Sequence, residues 1–347
     1  MVTLPRNAQI WMPGLVRASF RRHEPTTHVW LLITDHYEPY RHPADDKVAM
    51  DRVRPWIDRW PRIADAHRDS HGRRPRYSFF YPAEDYHPAP IEALAGLVRA
   101  GIADVEVHLH HDGEGEDAFR EVVGGFVNAL RNDHGLLREV RGRPAFGFIH
   151  GNWALDNSHP SGRFCGLDNE LTILREMGCY ADFTLPSAPS PCQTQTVNSI
   201  YWAVDDPGAP KSHDAGEAVM PGAGVRDALL MVQGPLAVRR HQRRKWAPSL
   251  EMGELTHVDP ATPHRVRRWL ANAPRVGGHQ FIKLHTHGAL DQFAAALLGG
   301  GLDTTFDLLG QECTRRGLSL GFSTAWDAAS IITALANGAD PLVGLAP

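Results

Sequence analysis

A chain of 347 residues that is 42% hydrophobic and 22% charged is long and apolar enough to bury a large core, which excludes disorder as the default state. Its formal net charge of −4 gives no global push toward nucleic acid or anionic lipid, and no apolar run reaches the roughly 18 residues needed to span a bilayer. Twenty histidines are the compositional outlier, and they direct attention to metal or proton chemistry.

Residues 1–27 read as an N-terminal extension in which Pro5, Arg6 and Pro13 interrupt any signal-peptide core, so a cytoplasmic protein is expected. From residue 28 onward, short β-like runs alternate with amphipathic helical stretches, the pattern of α/β architecture. The first run, HVWLLIT, opens onto Asp35, His36 and Glu38, and a helix is expected from Lys47 to His67. RYSFFY follows and ends near Glu84 and Asp85, before a helix from Pro90 to Ala100. In ADVEVHLH the side-chain period of two puts Glu106, His108 and His110 on one face, so both imidazoles face one site. His111, Asp112 and Glu114 continue that run into the loop, and a helix is expected from Glu116 to Asn132.

AFGFIH ends in His150, which with Asn152 is placed either to orient a substrate or to complete a metal shell, and Trp153 beside them reads as an aromatic platform for a sugar ring or as a buried packing residue. A helix over Asp168–Met177 leads to YADFTLP, and ALLMVQ follows residues 186–227. That intervening stretch is rich in Pro, Gly, Asp and Ser, and reads as a long inserted loop with a hairpin at SIYWAVDD. The basic run VRRHQRRKW comes next and reads as a solvated surface or an anion contact. A helix over Pro263–Ala271 precedes QFIKLHTH, where Lys283, His285 and His287 share one face and Lys283 is placed to pair with an acid such as Glu106. Helices over Asp303–Arg316 and Ala325–Asn337 flank the last run, LSLGFST. Cys165, Cys179, Cys192 and Cys313 have no zinc-knuckle spacing and read as reduced, buried thiols.

Acids, imidazoles and amides gather at the C-terminal ends of nearly all these runs, as in a parallel barrel whose strand ends share one functional face. The expectation is a single distorted (β/α) barrel of seven or eight strands over residues 28–347. The order of motifs (ITDH, EVHLHHDGE, the segment from GNW to LDNELTILREMGCYADFT, and KLHTHG) resembles the polysaccharide-deacetylase superfamily over roughly residues 28 to 325. That resemblance implies a metal-dependent hydrolase of an amide C–N bond, with a divalent ion, often zinc, and an N-acetylated sugar or polysaccharide as substrate. It implies Asp35 as catalytic base and His36 as a metal ligand. It also implies His110 and Glu114 at the two positions of the second metal motif, with His287 as general acid and His285 beside it. With His108, which shares the strand face of His110, the expected ligand set is His36, His108, His110 and Glu114. Glu38, Glu84, Asp85, His150, Asn152 and Trp153 are the expected substrate contacts. Three other readings stand beside this one: an amidohydrolase-like barrel with an HxH metal pair, a metal-free glycosidase pairing Asp35 or Glu38 with Glu84 or Asp85, and a non-catalytic carbohydrate-binding protein.

Overall fold

A computed structural model describes residues 4–42, 44–140, 142–240 and 248–343. It is a mixed α/β structure around a central, mostly parallel sheet, and no helix among the described residues is long and apolar enough to cross a membrane. Eight strands run parallel: β1 (His28–His36), β2 (Tyr77–Pro82), β3 (Ala103–Leu109), β4 (Arg143–His150), β5 (Cys179–Asp182), β6 (Leu229–Val232), β7 (His279–Thr286) and β8 (Ser319–Phe322). In space the order is β7-β1-β2-β3-β4-β5-β6. β8 shares an edge of β1 with β2: His28–Leu31 pair with β8, and Thr34–His36 pair with β2.

Strand alternation divides the sheet into two apolar faces. Val29, Leu31 and Ile33 of β1 join Trp56 and Trp60 of the helix Asp46–Ala66 in a core on the flanking-helix side. Trp30 and Leu32 point the other way, into a core with Phe80, Phe183, Phe281 and the helix Ala325–Ala336. The central strands are buried on both faces, so they read as continuous apolar runs until their polar ends.

Helix starts follow local chemistry. The Asp45 side chain accepts from Val48 N–H at the head of Asp46–Ala66, and Thr324 forms a reciprocal capping box with Asp327. The extension contains a helix, Ala8–Ser19, that buries Ala8 and Trp11 against Ala188, Val197 and Leu236. The 186–227 stretch supplies the strand Ile200–Ala203, which pairs antiparallel with both β6 and Glu217–Ala218. Of the basic run, residues 241–246 lie outside the described residues; Arg239, just before them, pairs with Glu251 at 3.0 Å.

Candidate metal centre and its cavity

His36 emerges at the end of β1 on the side opposite Asp35, because neighbouring strand residues face opposite ways. Its ring lies edge-on to His108 at 5.0 Å, and 5.0 Å from His287 and 6.1 Å from His285 between centroids. Two residues beyond β1, Glu38 sets one carboxylate oxygen 3.2 Å from His108 Nε2 and 3.3 Å from His110 Nε2. Its other oxygen accepts from Arg41 at 2.7 Å. Glu84 accepts from the backbone N–H of His110 at 3.1 Å and sits 2.6 Å from His110 Nδ1. Five imidazoles and two carboxylates thus meet at the C-terminal ends of β1, β3 and β7 and the loop after β2.

The donor set suits a divalent cation. His36, Glu38 and His108 are all buried and offer ligand atoms within 4.8 Å of one another. His108 Nδ1 donates to the Ile149 carbonyl at 2.8 Å, which leaves Nε2 as the free nitrogen facing Glu38. Burial works to raise the Glu38 carboxyl, but the neighbouring His108 and His110 outweigh it and hold it well below the usual carboxylate range. Burial likewise works to lower His110, yet Glu38 and Glu84 push that imidazole up to about 9. Burial lowers His36 and His285 well below their ordinary value and takes His287 down to about 4, so these three rings are neutral bases at pH 7.

A cavity of about 500 Å³ opens beside this cluster. His285, His287, Glu254, Arg41 and Trp153 line it together with the Pro186–Ser190 segment. Glu254 is held against β7 by a parallel backbone bridge to His285, and burial raises its carboxyl. Trp153 is 36% exposed, an uncommon display for a large aromatic side chain.

The expected site residues divide into two groups. His36, Glu38, His108, His110, Glu84, His285 and His287 come together, and Trp153 lines the adjoining cavity. Asp85 stands behind Glu84, its carboxyl raised by burial and by Glu84. Exposed Asn152 starts the turn that holds Trp153, both residues adopting left-handed backbone geometry (φ 55° and 59°).

Asp35 departs from its expected role. Its carboxylate turns to the flanking-helix face, where it accepts from Tyr77 O–H at 2.9 Å and Gly288 N–H at 2.6 Å. Burial pushes that carboxyl up to about 7. It therefore fixes the backbone behind His287 and does not face the imidazoles. His150 is not placed to orient a substrate in the cavity: the ring is fully buried on the flanking-helix side of β4. Glu114 lies by His111, 3.9 Å from its Nδ1, and is half exposed. Lys283 does not pair with Glu106. Its ammonium donates to the Phe183 carbonyl and is attracted by Asp182, while Glu106 accepts from Tyr180 O–H at 2.6 Å and from Gly147 N–H.

Sequence reasoning missed Glu254 and Arg41, which sit in segments with no apolar period to flag them. It also missed a second buried group, His111, His150, Cys165 and Glu170, whose ligand atoms again lie within 4.8 Å of one another. His111, His150 and Cys165 were read separately and Glu170 not at all, because Cys165 and Glu170 lie in a loop and at a helix start, far in sequence from His111. All four cysteines are free and buried. No protein-family model matches the chain, and no curated protein shows significant similarity to it.

Proposed function

We propose that the protein is a metal-dependent hydrolase of an amide C–N bond, acting on an N-acetylated sugar, and that its sheet is a distorted (β/α) barrel of seven or eight strands. The observation that carries this reading is the convergence of His36, Glu38 and His108 with His285 and His287 at the wall of an aromatic-sided cavity. Imidazole and carboxylate donors of this kind suit zinc. Held by His36, Glu38 and His108, such an ion supplies Lewis acidity to the scissile carbonyl and to the attacking water.

The chain's own residues supply the rest. Neutral His287 takes the proton from the water as its oxygen bonds to the carbonyl carbon. The resulting imidazolium returns that proton to the amine nitrogen as the C–N bond breaks, leaving acetate and a free amine. Asp35 orients His287 through the Gly288 N–H and is a positioning residue. Trp153 offers a face for the sugar ring, and Arg41 offers donors to its hydroxyls. The glycosidase reading loses support because Glu38 is engaged by His108, His110 and Arg41, and Asp35 turns away.

Acetate release from N-acetylglucosamine oligomers tests the reading. The zinc-loaded protein is expected to release acetate, chelation to abolish the release, and zinc to restore it. His287→Ala is expected to lose roughly 10²–10⁴-fold in kcat while keeping its metal. A zinc-loaded protein that binds these oligomers without releasing acetate would overturn the proposal in favour of a binding role.

A further inference from the structure

The group on the other side of β4 carries a second inference, independent of the first. We propose that His111, His150, Cys165 and Glu170 form a closed structural zinc site.

His111 Nε2 lies 3.0 Å from His150 Nε2 and 3.1 Å from Glu170 Oε1, and His150 Nε2 lies 3.5 Å from that same oxygen. Cys165 Sγ lies 3.4 Å from the other Glu170 oxygen. Neighbouring ligands of a tetrahedral zinc stand roughly 3.3–3.7 Å apart, given Zn–N of about 2.0 Å and Zn–S of about 2.3 Å. The two imidazoles and the inner Glu170 oxygen are already near that spacing, and the ligand atoms of all four side chains lie within 4.8 Å of one another.

Hydrogen bonding alone leaves His111 Nδ1 buried without a partner and sets two acceptors against one His111 Nε2 proton. His150 Nδ1 lies against the Gly151 carbonyl and carries the proton, so its Nε2 presents a lone pair. His111 Nε2 has a single site for a proton, which serves either Glu170 or His150 and not both. A cation at the meeting point takes both Nε2 lone pairs and the carboxylate together, with the His111 proton on Nδ1, whose nearest carboxylate is Glu114 at 3.9 Å. The sulfur has the surroundings of a ligand: the backbone N–H groups of Asn157 and Leu167 donate to Sγ at 3.2 and 3.5 Å. Such donors support a thiolate. Asp156 N–H likewise donates to the outer Glu170 oxygen at 2.6 Å, the kind of support that orients a ligating carboxylate.

Burial decides between a structural and a catalytic role. Glu170, His150 and Cys165 are 0% exposed and His111 is 6% exposed, so no open position faces solvent or the cavity. A site closed by four protein ligands holds structure. The segments it ties together are the loop after β3, the end of β4, the loop around Cys165 and the start of the helix Glu170–Met177. His111 directly follows His110 of the first cluster, and His150 precedes the turn that displays Trp153. The ion would therefore hold one wall of the cavity in place. Binding forms the Zn–Sγ bond and releases the Cys165 thiol proton to solvent, with no change of oxidation state.

Cobalt reports the thiolate directly. Protein stripped by a chelator and reloaded with Co(II) is expected to show a thiolate-to-cobalt charge-transfer band in the near ultraviolet. The band is expected to survive in His108→Ala and vanish in Cys165→Ser, with the metal content of the latter falling by about one equivalent per chain. The first proposal can fail, with no acetate released, while this band persists. If Cys165→Ser does not fold, zinc-edge X-ray absorption of the wild type decides: one sulfur per chain is expected, an average of about half a sulfur per zinc when both groups are loaded and one when this group alone is. Metal-loaded wild type with neither the band nor a sulfur neighbour, or a band that persists in Cys165→Ser, would overturn the proposal.

Discussion

His279 shows how a single ring can set a pH limit on the fold. It sits at the start of β7, stacked on His28 at 4.6 Å, and its Nδ1 accepts from the buried Trp30 indole at 3.0 Å. Accepting that bond requires a lone pair, and burial together with His28 lowers the imidazole to about 4. The folded state thus binds fewer protons than the unfolded chain between pH 6.5 and 4, so stability is full above pH 6.5 and falls as pH drops through that window. The full shift corresponds to about 3 kcal/mol, which half exposure and solvent screening discount to about 1 kcal/mol. Denaturant titrations at pH 7.5 and 4.5 are expected to show that much less acid destabilisation in His279→Phe than in the wild type; equal acid destabilisation in both would refute the account. At this scale the sequence was informative about facing. The period of two assigned His108, His285 and Lys283 to common faces, because strand geometry fixes direction. It was silent on reach: Lys283 finds Asp182, and Asp35 finds Gly288, through packing between strands that no local pattern encodes.

The loop after β7 shows the same logic at the level of elements. Gly288 is clamped between β1 and the helix Asp46–Ala66: its N–H donates to Asp35, and its carbonyl accepts from Trp56 Nε1 at 2.8 Å. A Cβ there would fall onto the Asp35 carboxylate and within 2.6 Å of the Trp56 ring. Gly288→Ala is therefore expected to cost roughly 1–3 kcal/mol in a denaturant titration. It is also expected to lower acetate release by displacing His287 while leaving metal content unchanged; unaltered stability and activity would remove the clamp from the account. Helices with a clear apolar stripe, such as Asp46–Ala66, were legible to within a few residues, as was the alternation of strands and helices. Ala8–Ser19 was not, because Pro13 and the mixed composition of its neighbourhood hide a helix whose buried face is only Ala8, Trp11 and Gly14. The strand Ile200–Ala203 was anticipated as part of a hairpin, but its pairing with β6 depends on a contact some thirty residues away.

For the molecule as a whole, the legible part was the convergence of polar strand ends, since a parallel sheet brings all C-terminal ends to one side. Which ends meet depends on the order β7-β1-β2-β3, which sets His36 between the histidines of β7 and β3 and cannot be read from chain order. The division into two histidine clusters was hidden for a similar reason. His110 and His111 are neighbours in sequence, but one joins Glu38 and Glu84 and the other joins Glu170 and His150 on the far side of the sheet. The central claim is that the first cluster is a metal centre. An anomalous difference map at the zinc edge, from crystals of the zinc-loaded protein, tests it most directly. A peak is expected among His36, Glu38 and His108, in addition to any among His111, His150, Cys165 and Glu170. A map with no peak beside His36, Glu38 and His108 would contradict it.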